Sequence, residues 1–118
     1  MPKQRITKEM IVDAAFALAR SGGLERLTVT DIAAKLGCSV QPIYSYCQSM
    51  EGLRSDVSAR ARQFVQGYVA ERIDPKDPFF STGRAYIQLA KEEPCILKMF
   101  LFQSRTGISS LEDLYRFE

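Results

Sequence analysis

The residue types that most often do chemistry are scarce in this sequence. Its 118 residues contain no histidine, and the three cysteines, Cys38, Cys47 and Cys95, are widely separated. Without an imidazole, Ser-His or Cys-His nucleophilic catalysis lacks its general base. An odd, scattered set of cysteines supports neither a disulfide framework nor a zinc site. Cys38 and Cys47 read as small hydrophobes rather than redox sensors, because no Lys or Arg within their own segment would lower a thiol pKa. The acidic pairs Glu92-Glu93 and Glu112-Asp113 fall beside a helix break or the chain end, where solvated helix-end carboxylates are the ordinary outcome. With no glycine-rich phosphate loop and no metal constellation, the chain is not expected to be an enzyme and no cofactor is expected.

What remains is hydrogen-bonding chemistry without charge. From Cys38 to Met50 no side chain is ionised, yet Ser39, Gln41, Tyr44, Ser45 and Tyr46 are all polar, and Thr28 and Thr30 precede them. Such a face either meets water or reads the donor and acceptor pattern of a partner. The net charge of +2 decides little by itself, although its surplus is N-terminal: residues 1–54 hold seven Lys and Arg against five Asp and Glu.

The elements that would position these residues follow from periodicity. Ile11, Ala14, Ala15 and Leu18 share one helical face, with Thr7 as N-cap and Gly22-Gly23 as the stop. A second helix opens at Thr28, with Asp31 three residues on, repeats the spacing at Val29, Ile32, Ala33 and Leu36, and ends at Gly37. Ser39 offers the cap of a third helix over 39–47. Its inward side takes Val40, Ile43 and either Cys47 or Tyr46, and Pro42 stands at the third helical position, where a missing N–H costs nothing. Residues 28–48 thus form a helix-turn-helix candidate. The expected core of the first three helices is Ile11, Ala15, Leu18, Val29, Ile32, Ala33, Leu36, Val40 and Ile43.

Ser49 should cap a long fourth helix that runs to about Arg72 with Met50, Leu53, Val57, Ala61, Phe64, Val65, Tyr68 and Val69 at helical spacing. Pro75 and Pro78 end it. Helices over 79–92 and 95–103 follow, the second apolar nearly all round and therefore buried or lining something, and a last short helix is expected from Ser110. No segment has strand periodicity, so the chain is expected to be all-α. At this length one domain-sized core is available, able to bury roughly two thirds of the unfolded surface. No apolar run approaches the ~18 residues a membrane span needs, so a cytoplasmic protein without membrane contact is expected.

The stretches Ile11-Val12-Asp13-Ala14-Ala15, Leu27-Thr28-Val29-Thr30-Asp31-Ile32-Ala33, Leu36-Gly37-Cys38-Ser39 and Ile43-Tyr44, with Glu51-Gly52-Leu53 behind them, resemble the DNA-binding domain of the TetR family of bacterial transcriptional regulators. The resemblance covers roughly residues 6–55, and residues 83–94 resemble the start of such a regulatory domain less specifically. It implies a helix-turn-helix DNA-binding domain over 1–48. Over 49–118 it implies a connecting helix and the first part of a helical ligand-binding and dimerisation domain. It further implies a homodimer on double-stranded operator DNA, most simply a repressor released by a small-molecule effector. Within that frame the third helix presents Val40, Gln41, Tyr44 and Tyr46 to the major groove. Gln41 can donate to and accept from the N6/N7 edge of adenine, and Val40 and Pro42 can press on thymine methyls. Thr28, Thr30, Ser39 and Tyr44 suit phosphate oxygens, as do Lys3 and Arg5, with Lys8, Lys35 and Arg54 as further sources of salt sensitivity. Tyr46 is divided between the groove and packing beside Leu53. Phe64, Tyr68, Tyr86, Met99, Phe100 and Phe102 form an aromatic and thioether cluster that periodicity alone assigns to the core and the resemblance to an effector pocket.

Three departures stand out. Cys47 occupies a position where family members commonly have phenylalanine, and Met50 one where they carry a phosphate-binding lysine, which should weaken backbone anchoring. The family's C-terminal dimer-forming helices do not occur before Glu118, so the chain is expected to be a fragment or a shortened relative. A helical interaction module that never touches DNA is the alternative reading of the charge-free segment.

Overall fold

The computed structural model describes residues 5–104 as six α-helices: α1 Lys8–Gly22, α2 Val29–Leu36, α3 Gln41–Tyr46, α4 Met50–Arg72, α5 Pro78–Glu92 and α6 Pro94–Ser104. A single 3-10 turn, Leu24–Arg26, links α1 to α2. No strand occurs among the described residues, and no helix there is long and apolar enough to cross a membrane. The short helix expected from Ser110 lies outside the described residues, as do Lys3 and the side chain of Phe102.

The caps are those the sequence offers. Thr7 Oγ1 accepts from Met10 N at 3.1 Å, Thr28 Oγ1 from Asp31 N at 3.1 Å and Ser49 Oγ from Gly52 N at 3.0 Å, each satisfying one amide that has no intrahelical partner. The exception is α3. Ser39 is exposed and caps nothing; Val40 leads into the helix with φ −74° and ψ −16°, and no side chain bonds the first amides. The helix begins one residue later than the serine predicts, which puts Pro42 at its second position, still among amides without a helical acceptor.

One core runs through the described residues. Ile11, Ala15 and Ala19 of α1 pack with Ile32 and Ala33 of α2, Ile43 of α3 and Leu53 and Val57 of α4, and the same cluster continues through Ala61, Val65 and Val69 to Leu89 of α5 and Ile96 and Met99 of α6. Leu18, Val29 and Leu36 reach it only half-buried, and Val40, expected inside, is 38% exposed. With Ile43 filling the inward position of so short a helix, Val40 precedes the first helical turn and turns outward. Helix α6 is not buried all round: Ile96 and Met99 face α4, whereas Leu101 is exposed.

Ion pairs tie α1 to the following helices. Lys8 Nζ lies 3.6 Å from Asp56, Arg60 pairs with Asp13, and Arg20 grips Glu93 with Nε 2.9 and 3.1 Å from the two carboxylate oxygens. Exposed pairs of this kind contribute little individually, about 0–1 kcal/mol. Between α4 and α5, the Tyr68 hydroxyl donates to Glu92 Oε1 at 2.7 Å, Gln88 Nε2 donates to Oε2 at 3.0 Å, and the Arg72 guanidinium sits 3.5 Å from the Tyr68 ring centre.

The bonds from Tyr68 and Gln88 hold the Glu92 carboxyl below its ordinary value, and burial, then the Glu92 bond, raises the Tyr68 hydroxyl. A depressed carboxylate stabilises the fold above its unfolded pKa near 4.5 and loses that contribution as pH falls through the lower folded value. A raised phenol contributes below pH 10.0 and loses the contribution as pH climbs through its folded value. Tyr68→Phe is therefore expected to flatten both limbs of a melting-temperature profile, below about pH 4.5 and above about pH 10. Identical profiles for both proteins would show that the α4–α5 bond carries no linkage.

Candidate nucleic-acid interface

The turn between α2 and α3 sets how α3 is displayed. Gly37 adopts φ 70° and ψ 34°, its amide bonds Ala34 O at 3.2 Å, and the Cys38 amide bonds Ala33 O at 3.0 Å. That pair of bonds is a Schellman motif, which closes a helix through a left-handed residue and brings an apolar contact behind it. Cys38 supplies the contact, half-buried against the core, with Ala33 buried one turn back. The cysteine expected to act as a small hydrophobe therefore does so for a reason of turn geometry.

Helix α3 is held by one deeply buried side chain, Ile43, at 1% exposure. Around it Val40, Gln41, Tyr44 and Tyr46 are exposed, Tyr44 at 65% and Tyr46 at 42%. Tyr46, open between groove and core, thus lies mainly on the outer side. Pro42 is half-buried, which leaves it less surface for a thymine methyl than Val40 has. Ser45 Oγ is turned back onto Gln41 O at 3.1 Å and is spent within the helix.

The phosphate-suited residues are distributed more widely. Thr28, Thr30 and Ser39 are exposed, and Thr28 accepts the Asp31 amide while its hydroxyl proton remains available to donate. Arg5 and Lys35 are exposed. Lys8 shares its charge with Asp56, and Arg54 is half-buried with its Nε enclosed and unpartnered among the described residues. Lys8 and Asp56, both outside its own segment, act on Cys47 electrostatically across the fold. Burial dominates and pushes its thiol up, with Lys8 opposing and Asp56 adding, the direction that disfavours the nucleophilic thiolate. All three cysteines are free.

Of the effector candidates, Tyr68 and Met99 are buried, and Phe64, Tyr86 and Phe100 are half-buried. Two ring pairs occur among them, Phe64 stacked on Tyr68 at 6.2 Å and Tyr86 tilted against Phe100 at 6.4 Å. An open groove lies on α5, lined by Phe79, Phe80, Thr82, Gly83 and Ile87. Sequence reading missed that groove, although Phe79-Phe80 beside Pro78 and Ile87 two turns on was a visible signal. It also missed the Arg20–Glu93 and Arg60–Asp13 pairs, whose partners are too far apart in sequence to signal one another.

A capped α2, a left-handed glycine turn and a short helix carrying an exposed, charge-free polar face define a protein of the helix-turn-helix class. Residues 11–57 match the family described as bacterial regulatory proteins, tetR family. Over 96 residues the chain is 22% identical to YobS of Bacillus subtilis (strain 168), an uncharacterized HTH-type transcriptional regulator, covering 79% of this chain and 50% of that protein. The family match runs from Ile11 in α1 to Val57 in α4 and takes in the whole helix-turn-helix. It spans about half the length of the curated relative it matches.

Proposed function

We propose that the chain is a sequence-specific regulator of transcription whose residues 1–48 read operator DNA and whose residues 49–118 begin a regulatory domain. The observation that carries this reading is the outer face of α3, where Val40, Gln41 and Tyr44 stand exposed on a helix fixed from beneath by Ile43. A helix so presented fits the major groove, about 12 Å wide. Repression relieved by a small molecule is the regulatory mode that the match to the tetR family over residues 11–57 favours. Phe64, Tyr68, Tyr86, Met99, Phe100 and Phe102 are the proposed effector contacts, and the two aromatic pairs give them π-faces and apolar surface to offer. A homodimer in a longer form would supply two reading heads for two half-sites. The first test is selection of bound duplexes from random DNA, with a gel shift on the selected and scrambled sequences; equal retention of both, or none of either, would sink the reading.

Because α3 carries no charge, its contacts release no counterions, so base preference and salt sensitivity should separate by mutation. Gln41→Ala is expected to relax preference at one base position by ~1–3 kcal/mol and leave the slope of log affinity against log salt unchanged. Arg5→Ala should weaken selected and scrambled duplexes alike and reduce that slope by about 0.9. Salt titrations of both variants on both duplexes check this, and a slope change in Gln41→Ala would show that Gln41 does not read a base.

A further inference from the structure

Helix α1 is tied to the corner between α5 and α6 by one side chain. Arg20, in the last turn of α1, sets Nε 2.9 and 3.1 Å from the two carboxylate oxygens of Glu93, and its guanidinium lies 5.1 Å from the Phe64 ring centre on α4. Among the described residues this is the one ionic or hydrogen-bonded link from α1, α2 or α3 to α5 or α6. A planar fork engaging both oxygens fixes orientation as well as distance.

Glu93 is placed to pass a displacement on. It is the single residue between α5 and α6. Its amide bonds Leu89 O at 2.7 Å and closes α5, and its carbonyl accepts from Leu97 N at 3.1 Å and opens α6. The residue before it carries the other bond of the corner, since Glu92 accepts the Tyr68 hydroxyl at 2.7 Å. Two adjacent carboxylates thus hold two different helices, Glu92 holding α4 and Glu93 holding α1. Phe64, stacked on Tyr68 and facing the Arg20 guanidinium, closes the ring of contacts.

We propose that Glu92-Glu93 is a joint that transmits the state of the α4–α5 packing to α1, with Arg20 as the residue that positions the helix-turn-helix against α4, α5 and α6. Displacing the Tyr68–Glu92 bond turns the last peptide units of α5, shifts the Glu93 carboxylate out of line with the fork, and loosens the end of α1. Helix α1 shares its core with α2 and α3 through Ile11, Ala15 and Ala19, so the outer face of α3 follows it. Groups in one contiguous network respond non-additively when removed together, whereas independent contacts add. The pair Arg60–Asp13 also holds α1, but to α4 and away from the corner, which makes it the natural control. The consequence for DNA rests on the proposed reading role of α3; the joint itself does not.

Hydrogen exchange on the 118-residue chain reads the joint without DNA. Tyr68→Phe removes the hydroxyl and keeps the ring, so the stack on Phe64 survives. It is expected to speed exchange of the Gly23 amide, which closes α1 on Ala19 O at 2.9 Å, by at least about twofold beyond any change at Val57, a buried mid-helix position that reports overall unfolding. Glu92→Gln, at an exposed position, weakens the same bond from its other side and should give the same pattern. In an Arg20→Gln background Tyr68→Phe should add nothing at Gly23, whereas in Arg60→Gln it should act as in the parent. An effect of Tyr68→Phe confined to α4 and α5, or one that persists in Arg20→Gln, overturns the proposal. On a duplex selected from random DNA, Tyr68→Phe and Arg20→Gln should each weaken binding by up to about fivefold, the most that breaking one exposed pair gives, and together no more than the larger loss alone. Losses that multiply overturn the link to α3. A parent that binds no duplex defeats the DNA-reading role instead, and the exchange pattern then decides the joint by itself.

Discussion

Replacing Ile43 with alanine is expected to lower the unfolding free energy by about 2–5 kcal/mol, a large loss against the roughly 5–15 kcal/mol that holds a domain folded. Ile43 is the one buried side chain of the six-residue α3, and at 1% exposure nothing else from that helix fills its place. Too short to persist alone, α3 owes its position to this contact. Affinity for a selected duplex should fall with stability in Ile43→Ala and recover largely in Ile43→Val, whose cost is only about 0.5–1.5 kcal/mol. Tyr44→Ala is the informative contrast: with its side chain 65% exposed, it should leave urea unfolding nearly unchanged while weakening DNA binding. If Ile43→Ala unfolds at the parental urea concentration, α3 is not anchored as described.

Gly37→Val is expected to produce the other large effect, about 2 kcal/mol of destabilisation together with loss of specific DNA binding. Left-handed backbone costs an L-residue roughly 1–2 kcal/mol, and a β-branched side chain tolerates it worst. Nothing lies within 4 Å of the position a Cβ would take, so the whole penalty is conformational rather than a clash. That makes a graded series possible. Gly37→Asn should recover most of the stability because asparagine enters this region readily, and Gly37→Ala should fall between. Urea unfolding and gel shifts on the three variants check the order, and an order that follows side-chain volume instead would mean that packing, not φ, governs the site.

The caps, the glycine turn and the four helices with buried faces at regular spacing were legible in the residues because each depends on neighbours within a few positions. Thr7, Thr28 and Ser49 bond amides three residues on, Gly37 adopts the backbone its missing Cβ permits, and α4 runs from Met50 to Arg72 with its apolar stripe inward. The start of α3 was less legible. Ser39 carries the chemistry of a cap, but the Schellman turn commits the Cys38 amide to Ala33 and delivers the chain to α3 through Val40. A local preference gave way to the geometry of the preceding helix end.

What the sequence determined by itself was an all-helical chain with a helix-turn-helix near its N-terminus, an uncharged polar face on that motif's second helix and no means for histidine-based catalysis. Those properties rest on composition and on spacings of three and four residues, which survive in one dimension. Only the tertiary structure decided that Val40 turns outward, that Leu101 of α6 and the Phe79–Phe80 face of α5 stay exposed, that Lys8 and Asp56 act on Cys47 electrostatically, and that Arg20 grips Glu93. Each of those outcomes depends on which helix lies against which, across separations of up to 73 residues. Burial and ion pairing act through space, and periodicity names the face that will be covered without naming what covers it.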